Sequence, residues 1–363
     1  METLREPASI KGRGAASNPP NRFERSRFER DLEADGADLD LTPAPATEFL
    51  RDASRSIVAT NASPDVPFDA SVNPYRGCEH GCAYCYARPT HEYLGLSAGI
   101  DFETKILVKH EAPELLRKTL MSWRWIPKPV AMSGVTDAYQ PVERRLRLTR
   151  GCLEVLAEFR NPVTIITKNR LVVRDVDLLS ALASHGAAAV FLSVTTLDSR
   201  LARRLEPRTS PPKLRLAAIE SLASAGIPVG VMIAPIIPGL NEHEIPAIVE
   251  EAAGAGARYA GYTPLRLPLA VAPIFEDWLE RNVPGKKEKV LNRVRAMRGG
   301  KLNDARFGAR MRGQGPFAAL IDTVFKKACA RAGLNRERLT LSTDAFRRPE
   351  LESASETQLR MFE

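Results

Sequence analysis

Three cysteines stand in one short stretch, Cys78-x3-Cys82-x2-Cys85, with Tyr84 before the last of them and Tyr86 after it. Thiolates are ligands for soft metals, and an iron–sulfur cluster is normally held by four of them. A cluster held by three keeps one iron open, and an open position is where a substrate or cofactor binds. The alternative is a zinc site that takes His80 or His91 as fourth ligand. His80 lies between two of the cysteines, a cramped place from which to complete a tetrahedron. His91 lies six residues past Cys85, and no second C-x2-C pair exists to make a zinc ribbon. Disulfides fit poorly, because five cysteines is an odd number and 363 residues bury a core without covalent staples. The other two, Cys152 and Cys329, fall in apolar helical stretches and are expected in the core.

The elements that must position this loop are legible as alternating segments. Strands are expected at Ser71–Tyr75, Pro129–Ser133, Val163–Thr167, Ala189–Val194, Val229–Ala234 and Tyr259–Leu265. They are short and apolar without clean alternation, as parallel strands buried on both faces are. Helices are expected between them at Pro113–Ser122, Glu143–Phe159, Asp175–Ala183, Lys213–Ala225 and Glu244–Ala255. Three of these helices end on a glycine just before a strand, at Gly186, Gly226 and Gly256, where a left-handed cap terminates the helix. The fold class this predicts is α/β, a partial (βα)6 barrel. Ligands in such folds collect at the C-terminal ends of the strands, and the cysteine loop follows the first strand directly. Ser133–Glu143, Thr167–Asn169, Ser193–Thr196 and Pro235–Asn241 are then expected around the same mouth.

Composition sets the surroundings. Hydrophobic and charged contents of 44% and 26% are those of a soluble globular chain. The N-terminus has no apolar signal region, and the most apolar stretch, Ile227–Leu240, is short and interrupted by three prolines. A cytoplasmic protein with no membrane association is expected. Residues 1–45 read as a flexible arm whose two phenylalanines offer contacts to the main domain. The core is expected over 46–270, a helical extension over 271–345 and a tail over 346–363. From Arg281 to Glu350 there are 18 Lys and Arg against 6 Asp and Glu, so nucleic acid is a candidate partner for residues 281–350, with a solvated helical face as the bland alternative.

The string Asn73–Arg88 resembles the cluster loop of the radical S-adenosylmethionine (SAM) enzymes. Together with Thr136-Asp-Ala-Tyr-Gln-Pro-Val-Glu143, Thr167-Lys-Asn169 and Leu205-Glu-Pro-Arg-Thr209, it resembles the spore photoproduct lyase-like subgroup, often labelled DNA repair photolyase-like. The segments Gly12-Arg-Gly-Ala and Asn18–Glu24 are similar to a bacterial branch of that subgroup with no settled substrate. The resemblance implies that Cys78, Cys82 and Cys85 each bind one iron of a 4Fe–4S cluster whose open iron takes S-adenosylmethionine. It implies cofactor contacts from Tyr84 near the adenine, from Ser133 and Gly134 at the methionine amino group, and from Lys168 and Ser193 at the carboxylate and ribose. Ala234 to Ile236 would lie along the adenine.

The implied activity is reductive cleavage of S-adenosylmethionine to a 5′-deoxyadenosyl radical that abstracts a substrate hydrogen, in lyase or repair-type chemistry on nucleic acid. A reductant such as flavodoxin or ferredoxin is implied with it. One departure stands out. Where the lyase carries a hydrogen-donating cysteine after the second strand, this chain has Gly134, which leaves Tyr86 or Tyr139 as donor candidates. The alternative functions are a non-catalytic zinc- or cluster-bearing nucleic-acid-binding or redox-sensing module, and a radical enzyme acting on a peptide or small molecule.

Overall fold

Six parallel strands, each returned by a helix, make the frame. The computed structural model describes residues 10–24 and 45–349. In chain order the strands are β1 (Glu48–Arg51), β2 (Val58–Thr60), β3 (Ala70–Val72), β4 (Tyr75–Arg76), β5 (Lys105–Val108), β6 (Val130–Met132), β7 (Val163–Thr167), β8 (Ala188–Ser193), β9 (Val229–Ile236) and β10 (Tyr259–Pro264). The main sheet runs β2-β3-β6-β7-β8-β9-β10, with only the β2–β3 pair antiparallel. The parallel strands follow chain order, so the sheet winds one way into a partial (βα)6 barrel whose edges are β2 and β10. Val163, Ile165, Val190, Leu192, Val231 and Ile233 are buried from both faces. The crossover helices press Leu179, Leu182, Ile219, Leu222, Ile248 and Val249 onto them.

The glycine stops work as expected. After each of three helices the glycine N–H and the next N–H reach back, as with Gly226 to Ala223 O (3.0 Å) and Ile227 to Leu222 O (3.1 Å). Gly186 and Gly256 repeat the pattern, each with positive φ, and the chain turns straight into the following strand.

Two expected elements are divided. The strand expected over Ser71–Tyr75 ends at Val72, because Pro74 has no N–H for a ladder. Tyr75 and Arg76 instead pair with β5 in a small second sheet, β1-β5-β4. The helix expected over Glu143–Phe159 breaks at Arg147, which takes φ 55° between the segments Glu143–Leu146 and Leu148–Phe159. Glu143 supports the break, since its carboxylate accepts the N–H groups of Thr149 and Arg150 that open the second segment.

The C-terminal extension is helical, with segments Val271–Asn282, Lys287–Met297 and Gly315–Ala332. The first two enclose a second apolar cluster that also holds Cys82, Ala83 and Tyr84, so the extension packs on the cysteine loop. Cys152 and Cys329 both lie in the main core, as expected. Of the segment expected as an arm, residues 10–24 pack against the main domain, and the Phe23 ring lies tilted against Tyr93 with centres 5.0 Å apart. Residues 1–9 and 25–44, most of the charged repeat Phe23–Arg30, and the tail from 350 lie outside the described residues.

Candidate active site

Behind the cysteine loop stands a set of buried polar residues, each spent on the loop's backbone. Thr136 Oγ1 and Gln140 Nε2 donate to the carbonyl of Gly77 at 2.6 and 3.3 Å, and Gln140 Oε1 accepts the Glu79 N–H at 2.9 Å. Arg88, fully buried, donates from Nε and Nη2 to the carbonyl of Cys82 (3.1 and 2.9 Å) and pairs with Glu103 at 2.5 Å. Glu103 in turn accepts the N–H groups of Gly14 and Ala15. Gly14 is required there, since a Cβ would lie 1.9 Å from the Gly81 carbonyl oxygen. Ala83 N–H donates to Leu205 O (3.1 Å) and Cys78 N–H to Phe102 O (2.9 Å). The loop is thus held from the N-terminal segment, from the turn after β6 and from the segment after β8.

Cys78 and Cys82 are buried and Cys85 is half-buried. Burial, with Glu206 adding to it, pushes the Cys82 thiol well above its ordinary range, and burial beside Cys78 pushes Cys85 up. Lone thiolates are therefore disfavoured here, and a cationic metal centre is what offsets that cost. Both histidines are engaged by other groups, although His80 lies beside Cys78. His91 is committed through Nε2 to the Lys105 carbonyl at 2.9 Å. His80 sets Nδ1 3.3 Å from Asp137 and Nε2 3.4 Å from Asn169. Among the described residues no three His, Cys, Asp or Glu side chains are grouped to hold a single ion. In a cluster each thiolate takes a different iron, and three thiolates with no fourth protein ligand suit that donor set.

Asp137 is the hub of the turn after β6. Burial alone raises its pKa, but His80, the Lys168 N–H (2.8 Å) and Thr167 Oγ1 (2.7 Å) outweigh it and hold it down to about 2. Burial likewise opposes the charge on His80, and Asp137 together with the neighbouring Cys78 outweighs it, pushing the ring up to about 10.

Around the mouth the structure brings several expected residues together. The Tyr84 hydroxyl donates to Glu206, and Lys168 Nζ lies 5.9 Å from the Tyr84 ring centre. Thr195 Oγ1 donates to Glu206 Oε1 at 2.5 Å and sits 3.3 Å from the carbonyl of Ala234. Arg215, fully buried, pairs with Glu206 at 2.5 Å and donates to the carbonyl of Ser193 at 2.8 Å. Asn241 Nδ2 donates to the carbonyls of Thr195 (2.7 Å) and Pro235 (3.2 Å). Ile236 is buried at the end of β9. Tyr86 is exposed, its hydroxyl donates to the Gly134 carbonyl, and Arg266 covers its ring at 4.6 Å. A Cβ built on Gly134 would meet open space.

One expected residue sits elsewhere, and another offers its backbone and not its side chain. Tyr139 is fully buried in the main core and donates to Asp175 at 3.1 Å, so its hydroxyl faces the scaffold and not the mouth. Ser133 turns its Oγ to the Ile166 carbonyl at 2.7 Å, which leaves its backbone, with φ 138°, to shape the turn. Sequence reasoning did not single out Arg88, Glu103, Arg215 or Arg266. Glu206 was visible only as part of Leu205–Thr209.

A sequence profile described as the radical SAM superfamily matches residues 72–252, from the first parallel strand into the last crossover helix. An uncharacterized protein of Mycobacterium tuberculosis is 37% identical over 221 residues, covering 60% of this chain and 65% of that protein's length. An uncharacterized protein of Methanocaldococcus jannaschii is 30% identical over 224 residues, covering 61% of this chain and 80% of that protein. Among solved structures, spore photoproduct lyase complexed with dinucleoside spore photoproduct superposes with a TM-score of 0.56 at 16% identity, over 79% of this chain and 80% of the other. A mutant of that lyase solved with AdoMet and the same dinucleoside gives 0.54 at 17%, over the same shares. At such identities the likeness is one of fold. The Methanocaldococcus relative, the profile match and the fold agree, and the chain belongs to the radical SAM superfamily.

Proposed function

We propose that the chain is a radical SAM enzyme in which Cys78, Cys82 and Cys85 hold three irons of a 4Fe–4S cluster and S-adenosylmethionine takes the open iron. The observation that carries it is the three-thiol loop, held by buried backbone contacts on the (βα)6 scaffold, with His80 and His91 engaged by Asp137 and the Lys105 carbonyl. When bound, this pair of cofactors supplies reductive cleavage to a 5′-deoxyadenosyl radical that abstracts a hydrogen from the substrate.

The chain's own residues have positioning work. Tyr84, fixed by Glu206, would set the adenine, with Ala234 and Ile236 alongside it. Lys168 and Ser193 would meet the carboxylate and ribose, and the Ser133–Gly134 backbone the amino group. Tyr86 is the proposed hydrogen donor, since it is exposed next to Cys85. The apolar cluster formed by the C-terminal extension keeps water from the Cys82–Tyr84 side.

For substrate we propose nucleic acid and lyase or repair-type chemistry, which the lyase's likeness in fold supports. Much of the surplus charge over 281–350 is committed inside the fold, as in Arg281–Asp277, Arg293–Glu242 and Arg310–Asp65. Lys289, Lys301 and Lys327 carry no ion pair among the described residues and remain for phosphates. Among the described residues no helix is long and apolar enough to cross a membrane. A cytoplasmic setting and a flavodoxin or ferredoxin reductant complete the proposal.

The test is anaerobic. The protein is reconstituted with iron and sulfide, reduced with dithionite and given S-adenosylmethionine. Formation of 5′-deoxyadenosine that vanishes in Cys82→Ala supports the reading. Zinc that cannot be replaced by iron overturns it.

A further inference from the structure

Arg208 sits where two surface grooves meet, and that junction touches the cysteine loop from outside. Its backbone N–H donates to the His80 carbonyl at 3.3 Å, and its Nη1 lies 3.3 Å from Glu79 Oε1. Both partners lie between Cys78 and Cys82. One groove, about 440 Å³, is lined by Lys11, Arg13, Glu79 and Arg208 among others. The other, about 560 Å³, is lined by Arg144, Asn169, Arg170 and Arg208 among others. Arg145 adds a cation at the first groove's rim, over the ring of Phe49 at 4.9 Å.

Among the described residues Glu79 is the one acid lining either groove, and it is buried and already answered by Arg208 and by the Val142 N–H at 2.7 Å. Arg144 and Arg170 are exposed and have no ion pair among the described residues. Lys11, Arg144, Arg145 and Arg170 thus face solvent around a turn of the cysteine loop, with the half-buried Arg208 between them, while Arg13 is spent on the carbonyls of Glu103 and Pro45. A substrate has to enter the mouth to react. A donor of electrons has only to come close to the metal, from any side.

We propose that this junction is the docking face for a small acidic one-electron carrier protein of the flavodoxin or ferredoxin kind. The step is a plain electron transfer. The reduced carrier loses one electron, the cluster gains it in passing from the 2+ to the 1+ state, and no bond or proton moves. The proposal rests on the cluster reading given above. Opposite charge across such a face raises the encounter rate and makes it salt-dependent.

The experiment compares the reconstituted protein with Arg144→Glu/Arg170→Glu and with a charge-matched control, Lys118→Glu/Arg258→Glu, at exposed positions that line neither groove. Stopped-flow absorbance follows cluster bleaching by dithionite and, separately, by reduced flavodoxin at low and high salt. Calorimetry measures binding of oxidised flavodoxin. We expect dithionite rates within about twofold in all three proteins. Flavodoxin reduction and binding should weaken about tenfold or more at low salt in the groove variant alone, with a flattened salt dependence. Equal flavodoxin rates and affinities in the three proteins would overturn the docking face. Loss of single-stranded DNA binding in the groove variant with flavodoxin reduction intact would assign the face to nucleic acid and overturn it too. Failure of dithionite to bleach the unmodified protein would remove the cluster reading, and this proposal with it.

Discussion

Arg88 and Glu103 form an ion pair at 2.5 Å from which water is excluded on both sides, and the same guanidinium holds the carbonyl of Cys82. Removing one member of such a pair leaves the other charged, buried and unanswered. Arg88→Ala should cost about 3–5 kcal/mol, read from the denaturant midpoint, and iron incorporation should fall with it. A loss below about 1 kcal/mol would show that the pair does not support the loop.

Tyr84 has two separable parts, a ring at the mouth and a hydroxyl spent on Glu206. Tyr84→Phe should lose about 1–2 kcal/mol of stability and leave S-adenosylmethionine binding to the reconstituted protein nearly unchanged by calorimetry. Tyr84→Ala should weaken that binding about tenfold, equivalent to about 1.4 kcal/mol. Equal affinities in the two variants would remove Tyr84 from the cofactor site.

Gly134 combines a φ of 123° with open space where a Cβ would stand. Gly134→Ala should therefore cost only backbone strain, about 1–3 kcal/mol, with iron content unchanged. A larger loss, or an empty cluster site, would mean that the position is packed.

His91 supplies a pH dependence. Its Nε2 is committed to Lys105 and its Nδ1 is buried with no partner among the described residues, so burial lowers its pKa from 6.5 to about 4. Between those values the unfolded chain binds the proton and the folded protein does not. Stability is then full above pH 6.5 and falls as pH drops toward 4, by about 3 kcal/mol in all. His91→Phe should remove that slope in unfolding curves taken between pH 7.5 and 4. An unchanged slope would place the titration elsewhere.

Most of the barrel was legible because its strands are apolar on both faces and its helices end on glycine. Val163–Thr167 emerges with the bounds expected. Sheet β1-β5-β4 was not legible, since short exposed strands such as Glu48–Arg51 carry no burial pattern. At the site the cysteines declared themselves by spacing. Tyr139 was misleading because the Asp137–Glu143 turn lies at the mouth while this side chain points into the core behind it. Arg88, Glu103 and Arg215 look like surface residues in a linear chain. Their partners lie from 5 to 89 positions away along it, in segments that only the tertiary fold brings together.

The close approach of Gly14 to Gly81 moves the border of the minimal working unit. A composition shift near residue 45 invites a shortened version that begins there. Such a truncation would strip two N–H donors from Glu103 and uncover the back wall of the cysteine loop. Expression designs for this chain therefore have to include Gly14 and Ala15, or they will make a barrel whose cysteine loop lacks its backing.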